Sequence, residues 1–222
     1  MAPLVPVFPL NTVLFPGTTV PLHVFEERYR TLVGDLLAVA DPAERVFASV
    51  AIREGYEVGD HGAQSLHRVG VLLQLTEVEE RDDGSFDVVA VARERIRLER
   101  MDATGPYPRG EVAAVPEEAD PVPEELLGRV RALFTGYAAT VARLHPEDPH
   151  PGSLPEDPEY LAWTLAAVAP LPLPDQQAVL EADDPATRLA LLAETFREEL
   201  AAMNVIPSLP ATRVARTGWS PN

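Results

Sequence analysis

The sequence contains no cysteine and no lysine. Without cysteine there are no disulfides, no thiol nucleophile and no thiolate metal site. Without lysine a whole set of mechanisms is closed. A phosphate-cradling GxxxxGK[ST] loop needs its lysine, as do a Ser–Lys dyad and a Schiff-base enzyme. All 18 basic residues are arginine. Abundant Ala, Arg and Pro agree with codon usage in a GC-rich genome as the origin of the missing lysine. Charge is also absent from the start of the chain: no Asp, Glu, Lys or Arg precedes Glu26. That opening run lacks the basic segment of a signal peptide, and Pro3, Pro6, Pro9, Pro16 and Pro21 interrupt any apolar helix in it. Elsewhere no stretch reaches the roughly 18 unbroken apolar residues of a membrane span. The expectation is a soluble, cytoplasmic protein with no membrane partner.

What is present is acid. The 222 residues carry 35 Asp and Glu against 18 Arg, a formal net charge of −17. Such a surface repels phosphate backbones and anionic lipid, so no nucleic-acid partner is expected. The densest basic cluster, Arg93, Arg95, Arg97 and Arg100, is interrupted by Glu94 and Glu99 and reads as a solvated strand face. Apolar residues make up 46%, enough for a core in one large or two small domains.

The first half reads as strands. Segments 5–10 and 18–24 flank Phe15-Pro16-Gly17, where Pro presets φ and Gly supplies the positive φ of a type II turn. Tyr29, Leu32, Val33, Leu36 and Leu37 then recur at helical spacing, with Glu26 and Glu27 at the helix N-terminus. Segment 46–52 reads as a buried strand and 55–66 as a glycine-containing loop. Two long strands meet at Asp83-Gly84, a hairpin signal, and segment 110–115 closes the set. About six strands and one helix make a small barrel-like sheet.

Residues 116–123 are acidic and proline-rich, and the subdomain boundary is placed there. Beyond it the spacing is helical throughout. Leu126, Val130, Leu133, Tyr137, Val141 and Leu144 line one helix. Asp157-Pro158 caps a second, striped by Leu161, Leu165 and Val168. Pro174-Asp175 opens a third. Asp184-Pro185 opens a fourth, carrying Leu189, Leu192, Phe196, Leu200 and Met203. Four such helices form a small bundle. The division is therefore 1–117 sheet subdomain, 118–206 helical subdomain and 207–222 flexible tail.

No catalytic residue, metal site or cofactor emerges. His145-Pro146-Glu147-Asp148-Pro149-His150 gathers ligand types, but its prolines prevent the helical pairing of HExxH, and it reads as an acidic loop. His23, inside an apolar strand, reads as a hydrogen-bonded core or rim residue. Ser85 and Ser153 sit in turns, and neither GxSxG nor GxGxxG occurs.

Four segments in order carry a resemblance. PVFPLNTVLFPGTTVPLHVFEERYR, HRVGVLLQL, DGSFDVVAVARERIRL and DPEYLAWTLAAVAPLPLPDQQAVLEADDPATRLALLAETFREEL are similar to the N-terminal domain of the Lon protease family. They resemble most the form found in bacterial proteins that carry this domain alone, without the ATPase and peptidase domains. Ala92 stands where the family often has Gly, and Gln176 where it usually has Lys. The resemblance implies an α+β protein, a PUA-like β-pseudobarrel followed by a helical bundle. It implies a non-enzymatic module that recognises unfolded or tagged polypeptides, as an adaptor or holdase linked to proteolysis and partnered by a protease. Candidate contact residues are Leu14, Phe15 and Pro16 at the turn, and Glu26, Glu27 and Arg30 on the first helix. The alternative is a PUA-like protein binding a small ligand or RNA.

Overall fold

The structure is a computed structural model describing residues 4–53, 65–117, 121–144, 153–169 and 171–205. Of the expected loop over 55–66, residues 55–64 lie outside the described residues, as do the His145–His150 stretch and the tail from 207, whereas Leu66 is buried and bridged to Ile52. The chain divides into two compact units, Met1–Pro116 and Glu117–Asn222.

The first unit holds β1 (Leu4–Pro6), β2 (Thr19–Val24), α1 (Glu27–Leu37), a 3-10 turn at Pro42–Glu44, β3 (Val46–Ser49), β4 (Val69–Glu80), β5 (Phe86–Asp102) and β6 (Arg109–Ala114). The strands form one antiparallel sheet in the order β1-β6-β5-β4-β3, and β2 adds to β5 beside this path. The segment after β1 is bridged in parallel to β3 and its continuation, at Val7–Ala48 and Leu10–Ala51. These bridges tie the two ends of the strand order together. The core between them holds Val7, Ala48, Val50, Ile52, Leu66, Ile96, Leu98 and Val112.

Both expected turns form. Thr18 donates its backbone N–H to the Phe15 carbonyl at 3.2 Å, with Gly17 at φ 82° between them. Gly84 N–H donates to Arg81 O at 2.9 Å, and Gly84 itself takes φ 76° at the foot of the β4–β5 hairpin. Each position needs a left-handed residue, which Gly fills without steric cost.

β5 is longer than its neighbours and is shared between them: its first half pairs with β2, its second with β6. The register against β4 steps from Leu72–Glu94 to Leu73–Ala92, leaving Arg93 as an extra residue. Such bulges bend and twist a strand and disturb its alternation. Here they overturn the reading of the arginine cluster as uniformly solvated. Arg93, Arg97 and Arg100 are exposed, but Arg95 is 1% exposed. Its guanidinium donates to the Pro116 carbonyl at 3.2 Å, just past the end of β6.

The second unit contains α2 (Glu124–Leu144), α3 (Pro158–Val168), α4 (Leu173–Glu181) and α5 (Pro185–Val205). Asp157 accepts from the N–H groups of Glu159 and Tyr160, and Asp184 from that of Thr187, so both expected N-caps form. The α5 helix packs against α2, α3 and α4. Phe196 meets Phe134 and Tyr137 at centroid distances of 5.4 and 5.3 Å. Val168, assigned above to the α3 stripe, is instead 47% exposed at the helix end. Among the described residues no helix is long and apolar enough to cross a membrane.

Candidate recognition surface around strand β2

Among the described residues, strand β2 pairs with β5 alone. Ala92 N–H bonds to Thr18 O, so in the antiparallel alternation Val20, Leu22 and Val24 turn their backbone groups toward β5. Thr19, Pro21 and His23 turn theirs away. Pro21, with no N–H to offer, thus occupies a position where none is needed, as expected of an edge strand.

The register stacks β2, β5 and β4 into rows: Pro21–Val89–Glu77, Leu22–Val88–Val78 and His23–Asp87–Glu79. Across these rows lies an open depression of about 510 Å³. Beyond the other side of β2 lies a second, of about 290 Å³, lined by Phe8–Asn11, Leu22–Glu26, Arg28, Tyr29 and Ile52. Its floor includes a stack of Phe8 on Tyr29 with centroids 4.0 Å apart. Burial raises the Tyr29 phenol above its ordinary pKa, so it stays neutral.

Leu22 and His23 line both depressions, and Phe25 lines the smaller one. Phe25 is 66% exposed, more than any other large apolar side chain described. A hydrophobic residue just before a helix often staples onto the fourth helical residue. Here that residue is Arg30, so capping does not account for Phe25. Among the described residues its ring neighbour is His23, at a centroid distance of 5.9 Å. His23 Nδ1 lies 2.8 Å from Asp87 Oδ1, and Arg81 Nε donates to Asp87 Oδ2 at 2.6 Å. The Arg81 hydrogen bond, then that of His23, holds the Asp87 carboxyl below the usual carboxylate range. His23 is therefore the hydrogen-bonded rim residue of the two options read from sequence.

This surface offers apolar area, backbone groups and carboxylates. Neither depression is lined by a hydroxyl or thiol nucleophile paired with the histidine; the phenol of Tyr29 is the one hydroxyl present. Among the described residues no group of three or more metal-ligating side chains occurs.

Of the six residues expected from sequence, Glu26 lines the smaller depression, and its carboxylate accepts from Arg28 at 2.6 Å. Leu14 and Pro16 are half-buried at the turn, and Glu27 is exposed on α1. Phe15 is 2% exposed: the turn folds its ring into the core, away from any contact surface in this conformation. Arg30 packs over the β4–β5 turn, its Nη2 2.5 Å from where a Cβ on Gly84 would stand. Those five line neither depression. Sequence reasoning passed over Phe25, Glu77 and Glu79. The available signal was an aromatic residue at the end of an edge strand with no staple partner at position 30.

Residues 4–197 match the family model of the ATP-dependent protease La (LON) substrate-binding domain. The chain is 30% identical over 200 residues to Lon protease 2 of Herpetosiphon aurantiacus, covering 88% of this chain and 24% of that protein. It is 28% identical over 204 residues to Lon protease of Escherichia coli, covering 90% and 25%. The chain thus spans about a quarter of the length of these curated relatives. Among solved structures, a Lon N-terminal domain protein from Xanthomonas campestris superposes with a TM-score of 0.64 at 24% identity, covering 86% of this chain and 98% of that one. The N-terminal domain of Mycobacterium avium complex Lon protease gives 0.62 at 18%, covering 88% and 98%. These two share the fold. The match over residues 4–197 shows that the chain belongs to the family of LON substrate-binding domains.

Proposed function

We propose that this chain is a non-enzymatic polypeptide-recognition module linked to proteolysis, acting in the cytoplasm as an adaptor or holdase for unfolded or tagged segments on behalf of a protease. The observation that carries the reading is Phe25, an aromatic ring 66% exposed on the rim of the smaller depression and beside His23, which lines both. Exposed aromatic area with adjacent hollows is a surface on which an extended segment can seat its apolar side chains. Family membership supports the same reading. So does the lack of lysine, which closes the Ser–Lys mechanism to these residues. The reading of 1–117 as a PUA-like β-pseudobarrel is supported by the bridges joining the ends of its strand order. The reading of 118–206 as a four-helix bundle is supported by α5 packing on α2, α3 and α4. Glu26 stays a proposed contact residue, joined by His23 and Phe25. A small-ligand or RNA reading finds less support: Arg28 and Arg81, the cations beside β2, each already hold a carboxylate.

Fluorescence anisotropy with a labelled, permanently unfolded polypeptide and the same polypeptide folded tests the reading. Binding of the unfolded form alone is expected, weakened at least about fivefold by Phe25→Ser. Equal binding of both forms, or of neither, overturns it.

A further inference from the structure

The β2–β5–β4 face combines two kinds of surface. Pro21, Val89 and the edges of Leu22 and Val78 supply apolar area, and the exposed Phe25 ring adjoins it through His23, 5.9 Å away between ring centroids. Along it runs acid of unequal availability. Asp87 is engaged by both Arg81 and His23. Glu77 and Glu79 are exposed and, among the described residues, form no ion pair. They stand two residues apart on β4, on one face, so their carboxylates repeat at about 7 Å. Alternate side chains of any extended polypeptide repeat at the same spacing. A segment lying along this face therefore meets apolar area and two carboxylates outside any ion pair, Glu79 feeling Arg81 only at longer range, in its own register.

Resting on the recognition reading above, we infer that this face selects extended segments in which an aromatic or aliphatic anchor is accompanied by basic residues at alternate positions, and disfavours acidic segments. Two exposed ion pairs contribute modestly each, so the selectivity is graded and weakens with salt. The anchor provides affinity through Phe25; Glu77 and Glu79 provide the choice among anchors.

The test uses the full chain and three labelled peptides with one apolar core, flanked at alternate positions by Arg, Gln or Glu. Anisotropy is read at about 50 mM and about 300 mM salt. Expected is the order Arg over Gln over Glu, with about fivefold or more between Arg and Gln at the lower salt, shrinking at the higher. E77R/E79R is expected to reverse the order. E124R/E125R, an equal charge change on exposed residues of α2, is expected to preserve it. An order unchanged in E77R/E79R, or reversed equally by both double variants, overturns the inference. In either case binding that stays sensitive to Phe25→Ser keeps the recognition reading. Equal binding of the three peptides by the wild type also overturns the inference alone. Binding of none of them overturns both.

Discussion

Arg188 Nη2 meets Glu117 Oε2 at 2.6 Å, although the arginine side chain is fully buried and the glutamate is 29% exposed. The guanidinium also lies 4.0 Å above the Trp163 ring and donates to the carbonyls of Ala182 and Asp183. One side chain on α5 thus fastens the segment that opens the second unit, the end of α4 and an α3 aromatic. A planar guanidinium can stack and donate in its plane at once, which an ammonium cannot.

Removing this hub is expected to cost more than removing its partner. Arg188→Met takes away the bonds to Ala182 and Asp183 together with the Glu117 pair, and should destabilise the chain by about 2–4 kcal/mol. Glu117→Gln leaves the buried guanidinium without its counter-charge but keeps a hydrogen-bond acceptor and the carbonyl and ring contacts, and should cost less, about 1–2 kcal/mol. Arg188→Lys should fall nearer Met than wild type. Urea unfolding followed by tryptophan fluorescence reads all three. Equal losses for Met and Gln would mean that the ion pair, not the hub, is what matters.

Phe25 is expected to separate binding from stability. Its ring is largely exposed and makes no staple, so Phe25→Ser should shift stability by no more than about 0.5 kcal/mol while weakening unfolded-polypeptide binding. Thermal unfolding and anisotropy on the same samples check this. A large stability loss would assign the ring to packing.

The contrast between Phe25 and Phe15 shows where sequence reasoning works and where it stops. Phe15-Pro16-Gly17 was legible as a turn because Pro and Gly act on their own φ. Asp157 and Asp184 were legible as caps because the bonds they accept are two or three residues away. Six strands, α1 and the four later helices followed from periodicity and these stops. Burial of single polar residues did not. Arg95 is covered by Pro116, 21 residues on, and Arg188 by Trp163 and Glu117. Nothing in the local pattern of either arginine announces its cover. The candidate surface was half legible for the same reason: Glu26 borders it in sequence, but Glu77 and Glu79 reach it only through β5.

Gly84 and Arg30 give a coupled pair to measure. Alanine at either left-handed glycine should cost about 1–2 kcal/mol from backbone strain. Gly17 has open space around its Cβ position, whereas Gly84 faces the Arg30 guanidinium. G84A should therefore cost more than G17A in the wild type, and the excess should vanish in an R30A background. A double-mutant cycle by chemical unfolding reads the interaction directly. An excess that persists without Arg30 would place the strain in the hairpin itself.

Asp184 offers a pH-dependent cap. Hydrogen bonds from the Thr187 hydroxyl and backbone N–H hold its carboxyl below the ordinary range in the folded chain. A depressed folded pKa means that the carboxylate adds stability above the unfolded value of about 3.9, and that this share is lost as pH falls through the folded one. Asp184→Ala should cost about 1 kcal/mol near neutral pH, the usual size of an N-cap. Asp184→Asn retains an acceptor that does not titrate. The stability difference between wild type and Asp184→Asn should therefore be constant above about pH 5 and should move in favour of Asn as the pH falls below about 4. Urea midpoints of the two proteins, taken in parallel from pH 7 to pH 3, isolate this group because every other acid titrates in both. A difference that stays flat through the acid range would show that the carboxylate charge adds nothing to the cap.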